Sequence, residues 1–525
     1  MRSLLAVLLI SLLQPTSVLA ELWVPAFFSD HMVLQRDSMV AIWGRATGNS
    51  PVTVTFRGQS VRATADSAGR WKLQIASGAA DAVGSSLKIE TQPGEPALTL
   101  QDVLVGEVWF ASGQSNMVFT MSRVPAYADV IAGSNFPQIR MFNAPMVTAV
   151  EPQDRIEGKW SLCTPTSVPD FSAVAFFFAR KLHTELNVPV GVIKSAWGGK
   201  PVETFTSREA LLTLPATKSL VEAALLADRN FDPARAATSY ERQLQQWQTK
   251  EAEWKQKAAS ARGARPRKPA APKRPLASEG QPGVLFNSMI HPFVGYTLRG
   301  VIWYQGEANA KAGAVPYDQT LPLMIQDWRT RWNSDLSFYF VQLANFRAAS
   351  TEPGDRDPWP LLQDRMRKVL QTTPKTGMAI CNDIGEAKDI HPKNKLDVGE
   401  RLALWALAKD YVRADVVYCG PLYRTSVVKG AAIEVQFDQI GTGLKARDSG
   451  TLNRFEIAGA DKVWHWAQAT ITAADTVVVS SDSVPQPVAV RYAWAANPSG
   501  ANLVNSAGLP ASVFRTDDWD DVEGQ

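Results

Sequence analysis

The stretch Gly113-Gln114-Ser115-Asn116-Met117 sets a serine in a Gly- and Asn-rich turn directly after the apolar run Glu107-Val108-Trp109-Phe110-Ala111. A strand that ends in a tight turn and opens a helix frees the serine hydroxyl from the sheet and leaves its amide unpaired, ready to receive an oxyanion. Ser and Asn are also preferred helix caps, so this turn by itself reads more readily as a cap than as a site. A hydroxyl is a weak nucleophile at neutral pH and needs a base within hydrogen-bond reach, a duty that suits histidine. Asp389-Ile390-His391-Pro392 supplies one, with Asp389 the first choice to orient the imidazole and Glu386 or Asp383 the alternatives. Two further polar turns complete the set. Ser195-Ala196-Trp197-Gly198-Gly199 follows Val190–Ile193, and its paired glycines let a backbone amide approach a reacting oxygen. Gln305-Gly306-Glu307-Ala308-Asn309 follows Gly300–Tyr304 and offers a side-chain amide donor. Nucleophile, base and amide donors together are the parts needed for acyl transfer.

These turns require a framework that brings strand ends together. From about residue 104 apolar strands alternate with helical segments, which predicts an α/β fold with a parallel sheet covered on both faces. In such sheets ligands bind beyond the carboxyl ends of the strands, where all four turns fall. Residues 21–103 read as a small N-terminal β-sandwich-like domain of short alternating runs, among them Met39–Gly44, Val52–Phe56 and Trp71–Ile75. The α/β domain spans 104–414. It is interrupted at 225–282 by a helix rich in Lys, Glu and Gln and then by a Pro/Ala/Lys stretch, read as a solvated surface insertion. Beyond residue 415 β character returns, to form a C-terminal β-rich domain over 415–525.

Composition narrows the function. With 525 residues, 45% hydrophobic and 20% charged, the chain is an ordinary globular protein of two or three domains. A net charge of +3 gives no case for nucleic acid as a partner. Seventeen tryptophans weakly favour a carbohydrate ligand, because indole faces stack on sugar rings. Residues 1–20 have a charged start, an apolar stretch from Leu4 to Leu13 and small residues before Glu21, the pattern of a cleaved signal peptide, and imply a secreted or periplasmic protein. No later segment has the pattern of a membrane span. The five histidines and three cysteines are scattered without metal-ligand spacing, so neither a metal nor another cofactor is expected, and the cysteines allow at most one disulfide.

Taken together, Gly113–Met117, Ser195–Gly199, Trp303-Tyr304-Gln305-Gly306-Glu307 and Asp389–Pro392 resemble, in order and spacing, the sialate O-acetylesterase family of the SGNH (GDSL-like) hydrolases. Phe28–Gln35 and Val490–Trp494 also resemble that family, so the likeness covers nearly all of the chain beyond the signal, the 225–282 insertion least. The resemblance implies an SGNH-like three-layer α/β/α domain and hydrolysis of acetylated carbohydrate through an acyl-serine. Ser115 would be the nucleophile, His391 the base and Asp389 the acid. The oxyanion would be held by the amides of Ser115 and Gly199, or Gly198, and by the Gln305 side chain, with Gly198, Asn116 and Glu307 as further candidate site residues. Gln305 stands where the superfamily usually has an asparagine. Lys388 stands where its acid commonly lies, three residues before the histidine. The substrate reads as a sialate 9-O-acetyl ester or a plant-polysaccharide acetyl ester. A non-catalytic carbohydrate-binding protein, and a lipase or thioesterase on the same fold, are the alternatives.

Overall fold

The computed structural model describes residues 22–92, 95–257, 263–448 and 450–520. The signal peptide expected at 1–20 lies outside the described residues. The framework is a mixed sheet built around one long strand, Leu98–Gly113, whose second half is buried at every residue. From one edge to the other the strands run Thr376–Ala379, Ser337–Val341, Gly300–Tyr304, Leu98–Gly113, Val190–Ala196, Phe136–Asn143 and Trp160–Cys163. All neighbours on this path are parallel except the last pair, which is antiparallel. Continuous apolar sequence in the inner strands follows from burial on both faces, as crossover helices require. Ala173–Leu186 packs against Lys395–Lys409, and Tyr317–Trp332 against Pro358–Thr372. The fold is therefore α/β with β-rich regions at both ends.

The first half of Leu98–Gly113 belongs equally to the N-terminal β region, where it pairs antiparallel with Asp81–Glu90 and parallel with Val33–Gln35. Residue 103, the expected end of that region, thus falls inside one strand, and a single hydrophobic core runs from Phe27 and Val54 to Trp303 and Leu402. The C-terminal β region has its own core, with Val435, Val477, Val490 and Phe514 packed between two four-stranded antiparallel sheets. Arg491, from the family-like stretch Val490–Trp494, is fully buried there and paired with Asp517. Cys163, Cys381 and Cys419 are all buried and free, so the allowed disulfide does not form. In the insertion, the helix Pro233–Gln256 is exposed along most of its length. Its indoles Trp247 and Trp254 donate to the Pro266 and Gly263 carbonyls, so the Pro-rich return lies back along the helix.

Register explains why the polar turns converge. Gly113 is paired on one side with Ala196 and on the other with Tyr304, so three strands end at the same level. Hydrogen bonds then lock the turns: the Gln114 amide donates to Tyr304 O at 2.9 Å and the Trp197 amide to Gly113 O at 3.0 Å. Gly113 has φ +134°, and a Cβ there would lie 2.2 Å from the Tyr304 carbonyl oxygen. Only glycine fits that crossing.

Candidate active site

Ser115 opens a one-turn helix, Ser115–Val118, at the tip of the central strand. As its first residue, Ser115 has an amide with no intrahelical acceptor. Against it lies Gly198, where a Cβ would sit 3.2 Å from the Ser115 Cβ, followed by Gly199 at φ +69°. The paired glycines therefore serve close approach and a left-handed turn at the position facing the serine.

His391 arrives from the other side, on the loop between Thr376–Ala379 and Lys395–Lys409. Its Nε2 lies 2.8 Å from Ser115 Oγ, and its Nδ1 lies 3.2 Å from Asp389 Oδ1. An Nδ1–H donated to Asp389 leaves Nε2 as the acceptor for the serine hydroxyl. Asp389 Oδ1 also accepts the His391 amide at 2.9 Å, while Lys393 donates to Oδ2. Those two contacts, with Lys393 the larger effect, hold the Asp389 carboxyl down to about 2, so it is ionised throughout the working range. Burial is the first cause that lowers the His391 pKa below its ordinary value, and the positive charges of Lys395 and Arg123 add to it; Asp389 works against them. The imidazole is neutral at pH 7, the form that can accept a proton. Three of the other four histidines are engaged elsewhere: His31 with Asp102, His183 with Val188 O and His291 with Gln153 O.

The two alternative acids do not reach the imidazole. Glu386 accepts the Lys393 amide at 2.8 Å, and Asp383 is paired with Arg401 and Arg447. Gln305 also departs from the expectation that its side chain is an oxyanion donor. It is fully buried, and its amide nitrogen donates to Asn309 Oδ1 at 2.7 Å and Lys200 O at 3.2 Å while its oxygen accepts from Tyr317. Both amide hydrogens are thereby committed to the scaffold. Asn116 and Glu307 do meet at the site: Asn116 Nδ2 donates to Glu307 Oε1 at 2.5 Å and to Ile390 O at 3.1 Å.

Three residues around this cluster carried no signal in the turn motifs. Phe119 stacks on the His391 ring at 6.0 Å, and the Arg123 guanidinium lies 4.6 Å from the Phe119 ring. Lys395 is fully buried and donates to Asn116 Oδ1. A signal for it existed: Lys395 shares the core-facing stripe of its helix with Val398, Leu402 and Ala406, an unusual place for a lysine. No cluster of three or more His, Cys, Asp or Glu able to hold a metal occurs among the described residues.

Residues 281–404 match the family model of carbohydrate esterases described as sialic acid-specific acetylesterase. Sialate O-acetylesterase of Rattus norvegicus is 28% identical over 93% of this chain and 93% of its own. The Homo sapiens enzyme is 27% identical over 93% of this chain and 91% of its own. A carbohydrate acetylesterase from Xanthomonas citri, known from its crystal structure, is 34% identical, covers 95% of this chain and 100% of its own, and superposes with a TM-score of 0.79. The chain belongs to the sialate O-acetylesterase family. Membership makes it a serine ester hydrolase and sets aside the non-catalytic carbohydrate-binding alternative. Within the family model's match fall Gln305, Glu307, Asp389, His391 and Lys395, whereas Ser115 and Gly198-Gly199 lie before it.

Proposed function

We propose that this chain is a carbohydrate O-acetylesterase that works through an acyl-serine, with Ser115 as nucleophile, His391 as base and Asp389 as the acid that orients it. The observation that carries the reading is the 2.8 Å contact between His391 Nε2 and Ser115 Oγ, groups 276 residues apart in sequence. His391 takes the hydroxyl proton as Ser115 Oγ attacks the acetyl carbonyl. The tetrahedral oxyanion is held by the amides of Ser115 and of Gly199 or Gly198. The imidazolium then protonates the sugar oxygen as the C–O bond breaks, leaving an acetyl-serine. Water, deprotonated by His391, releases acetate and restores the serine.

The same reading gives the α/β region the three-layer SGNH arrangement, removes residues 1–20 as a signal and sends the protein to the periplasm or medium. For the sugar, Arg123 is the informative residue. Its guanidinium stands beside Phe119 and makes no ion pair among the described residues, a ready partner for the carboxylate of a sialate ester. A neutral plant-polysaccharide ester would leave it idle. Acetate release from 9-O-acetylsialic acid, acetylated xylo-oligosaccharides and p-nitrophenyl acetate, each with wild type and Ser115→Ala, tests the proposal. Turnover is expected to vanish in the variant and to be faster for acetyl than for long-chain acyl esters. Undiminished acetate release by Ser115→Ala would overturn the mechanism, and faster cleavage of long acyl chains would favour a lipase.

A further inference from the structure

The side chain next to the nucleophile joins three separate parts of the sequence. Asn116 donates through Nδ2 to Glu307, in the turn after Gly300–Tyr304, and to the carbonyl of Ile390, the residue before His391. Its Oδ1 accepts from Lys395 at the start of the following helix. One amide therefore ties the serine turn, the Glu307 turn and the histidine loop together, with a buried cation at one end and a buried carboxylate at the other. Two aromatic rings also flank that cation: Nζ lies 4.9 Å from the Phe119 ring and 5.3 Å from the Tyr304 ring. Glu307 Oε2 is buried with no hydrogen-bond partner among the described residues. A lysine and a glutamate bridged by an amide in so dry a place are expensive to retain for folding alone, since hydrophobic residues of similar volume are often at least as stabilising.

We infer that Lys395 is a positioning residue for catalysis: its buried ammonium fixes Asn116, and through Asn116 holds the Ser115 turn at hydrogen-bond distance from His391. The inference rests on the acyl-serine reading above. A charge-assisted bond is roughly twice as strong as a neutral one, so the hold on Asn116 depends on the ammonium being charged. Burial, the dominant cause, lowers the Lys395 pKa to about 7, while Glu307 raises it. The groups that face it are Tyr304 at the end of Gly300–Tyr304, Glu307 in the turn after it, and Cys381, Asp389, His391 and Lys393 from the histidine loop. Its ammonium is charged below that pKa and loses its proton as pH rises through it. Activity is accordingly limited on the acid side by protonation of His391 and on the alkaline side by deprotonation of Lys395.

Lys395→Met keeps most of the length and apolar bulk of the side chain and removes its charge and its donor. With p-nitrophenyl acetate, its kcat is expected to fall on the order of 10-fold or more with KM within about twofold, since the bond positions the nucleophile and does not bind substrate. The alkaline limb of the kcat profile is expected to disappear. Glu307→Gln preserves an acceptor for Asn116 and removes the counter-charge, so its alkaline limb is expected to move to lower pH. A folded Lys395→Met protein with wild-type kcat, or with reduced kcat and an unshifted alkaline limb, overturns the inference. Should Lys395→Met fail to fold, the Glu307→Gln profile decides: a shift supports the role and an unmoved limb ends it. Ser115→Ala separates the two claims, because activity surviving there removes the acyl-serine reading itself, whereas an inactive Ser115→Ala beside a wild-type-like Lys395→Met removes only the role of Lys395.

Discussion

At the scale of single residues, the His391–Asp389 pair differs from a deeply buried triad. The Asp389 side chain is 39% exposed and its Oδ1 stands at 3.2 Å from the imidazole, with Lys393 competing for the other oxygen. Water therefore screens part of the stabilisation that the carboxylate lends to the imidazolium. Asp389→Asn is expected to lower kcat by roughly 10- to 1,000-fold, less than the roughly 10,000-fold of a buried triad acid. His391→Ala, which removes the proposed base itself, should cost several orders of magnitude in kcat, on the scale of about 10,000-fold or greater. The pH profile carries a sign. As the proposed base His391 must be neutral to act, so kcat/KM is expected to rise with pH through its pKa, which burial already holds below the ordinary value, and Asp389 is the group that opposes this shift. Removing the Asp389 charge should move the acid limb of kcat/KM to still lower pH, measurable with p-nitrophenyl acetate from pH 4 upward. An acid limb that moves to higher pH would contradict the pairing.

At the scale of elements, the site is a matter of strand register and tight turns. Gly198 and Gly113 test this separately. Alanine at Gly198 places a methyl 3.2 Å from the Ser115 Cβ, a displacement of tenths of an ångström at the proposed nucleophile and little else. Gly198→Ala is expected to lose about 10- to 100-fold in kcat with its melting temperature nearly unchanged. Alanine at Gly113 combines φ +134° with a 2.2 Å overlap on the Tyr304 carbonyl, so it strikes the framework itself. Gly113→Ala should destabilise by about 2 kcal/mol or more, read by thermal unfolding. Ser115, the glycine pair and His391 were legible in the sequence because each is a chemically distinctive residue in a turn directly after an apolar run. Gln305 shared that position but not the outcome, because what claims its amide is Asn309 four residues on and the Lys200 carbonyl from another turn. Strand-end patterning shows where a residue lies and says little about which way its side chain is held. Of the Asn116–Glu307–Lys395 bridge only the members were legible, Asn116 and Glu307 in their turns and Lys395 on an apolar helix stripe; nothing in the sequence joins them, because the link is made by hydrogen bonds between segments far apart in the chain.

At the scale of the whole molecule, the C-terminal β region reaches the histidine loop through a short relay of hydrogen bonds. Asn497 accepts from Asn345 Nδ2 at 2.9 Å and donates to Arg347 O at 2.8 Å. Asn345 Oδ1 in turn accepts the Gly385 amide at 2.6 Å, and Phe346 and Glu386 form a β-bridge, as do Glu386 and Asp389. The Phe346 amide also donates to Ala496 O at 2.8 Å. Four segments thus lead from the C-terminal region to the carboxylate beside His391. The loop from 380 to 394 has no regular secondary structure of its own to keep Asp389 in place, so this relay and the Tyr127 hydroxyl, which accepts the Lys395 amide and donates to Lys393 O, supply the constraint. Asn497→Ala removes both side-chain bonds of one relay member and leaves its backbone intact. A lost bond that strands a buried partner costs about 1–3 kcal/mol, but here Asn345 is half-buried and Arg347 exposed, so water can replace much of it. The larger effect is expected on catalysis, because a loop released at Asn345 lets Asp389 drift from the imidazole. Asn497→Ala should therefore lower kcat on p-nitrophenyl acetate by about 10-fold while unfolding within a few degrees of wild type, and its effect should shrink in the Asp389→Asn background, where the carboxylate is already gone. Additive losses in the double variant would mean that the C-terminal region supports the enzyme's stability and not the geometry of its base.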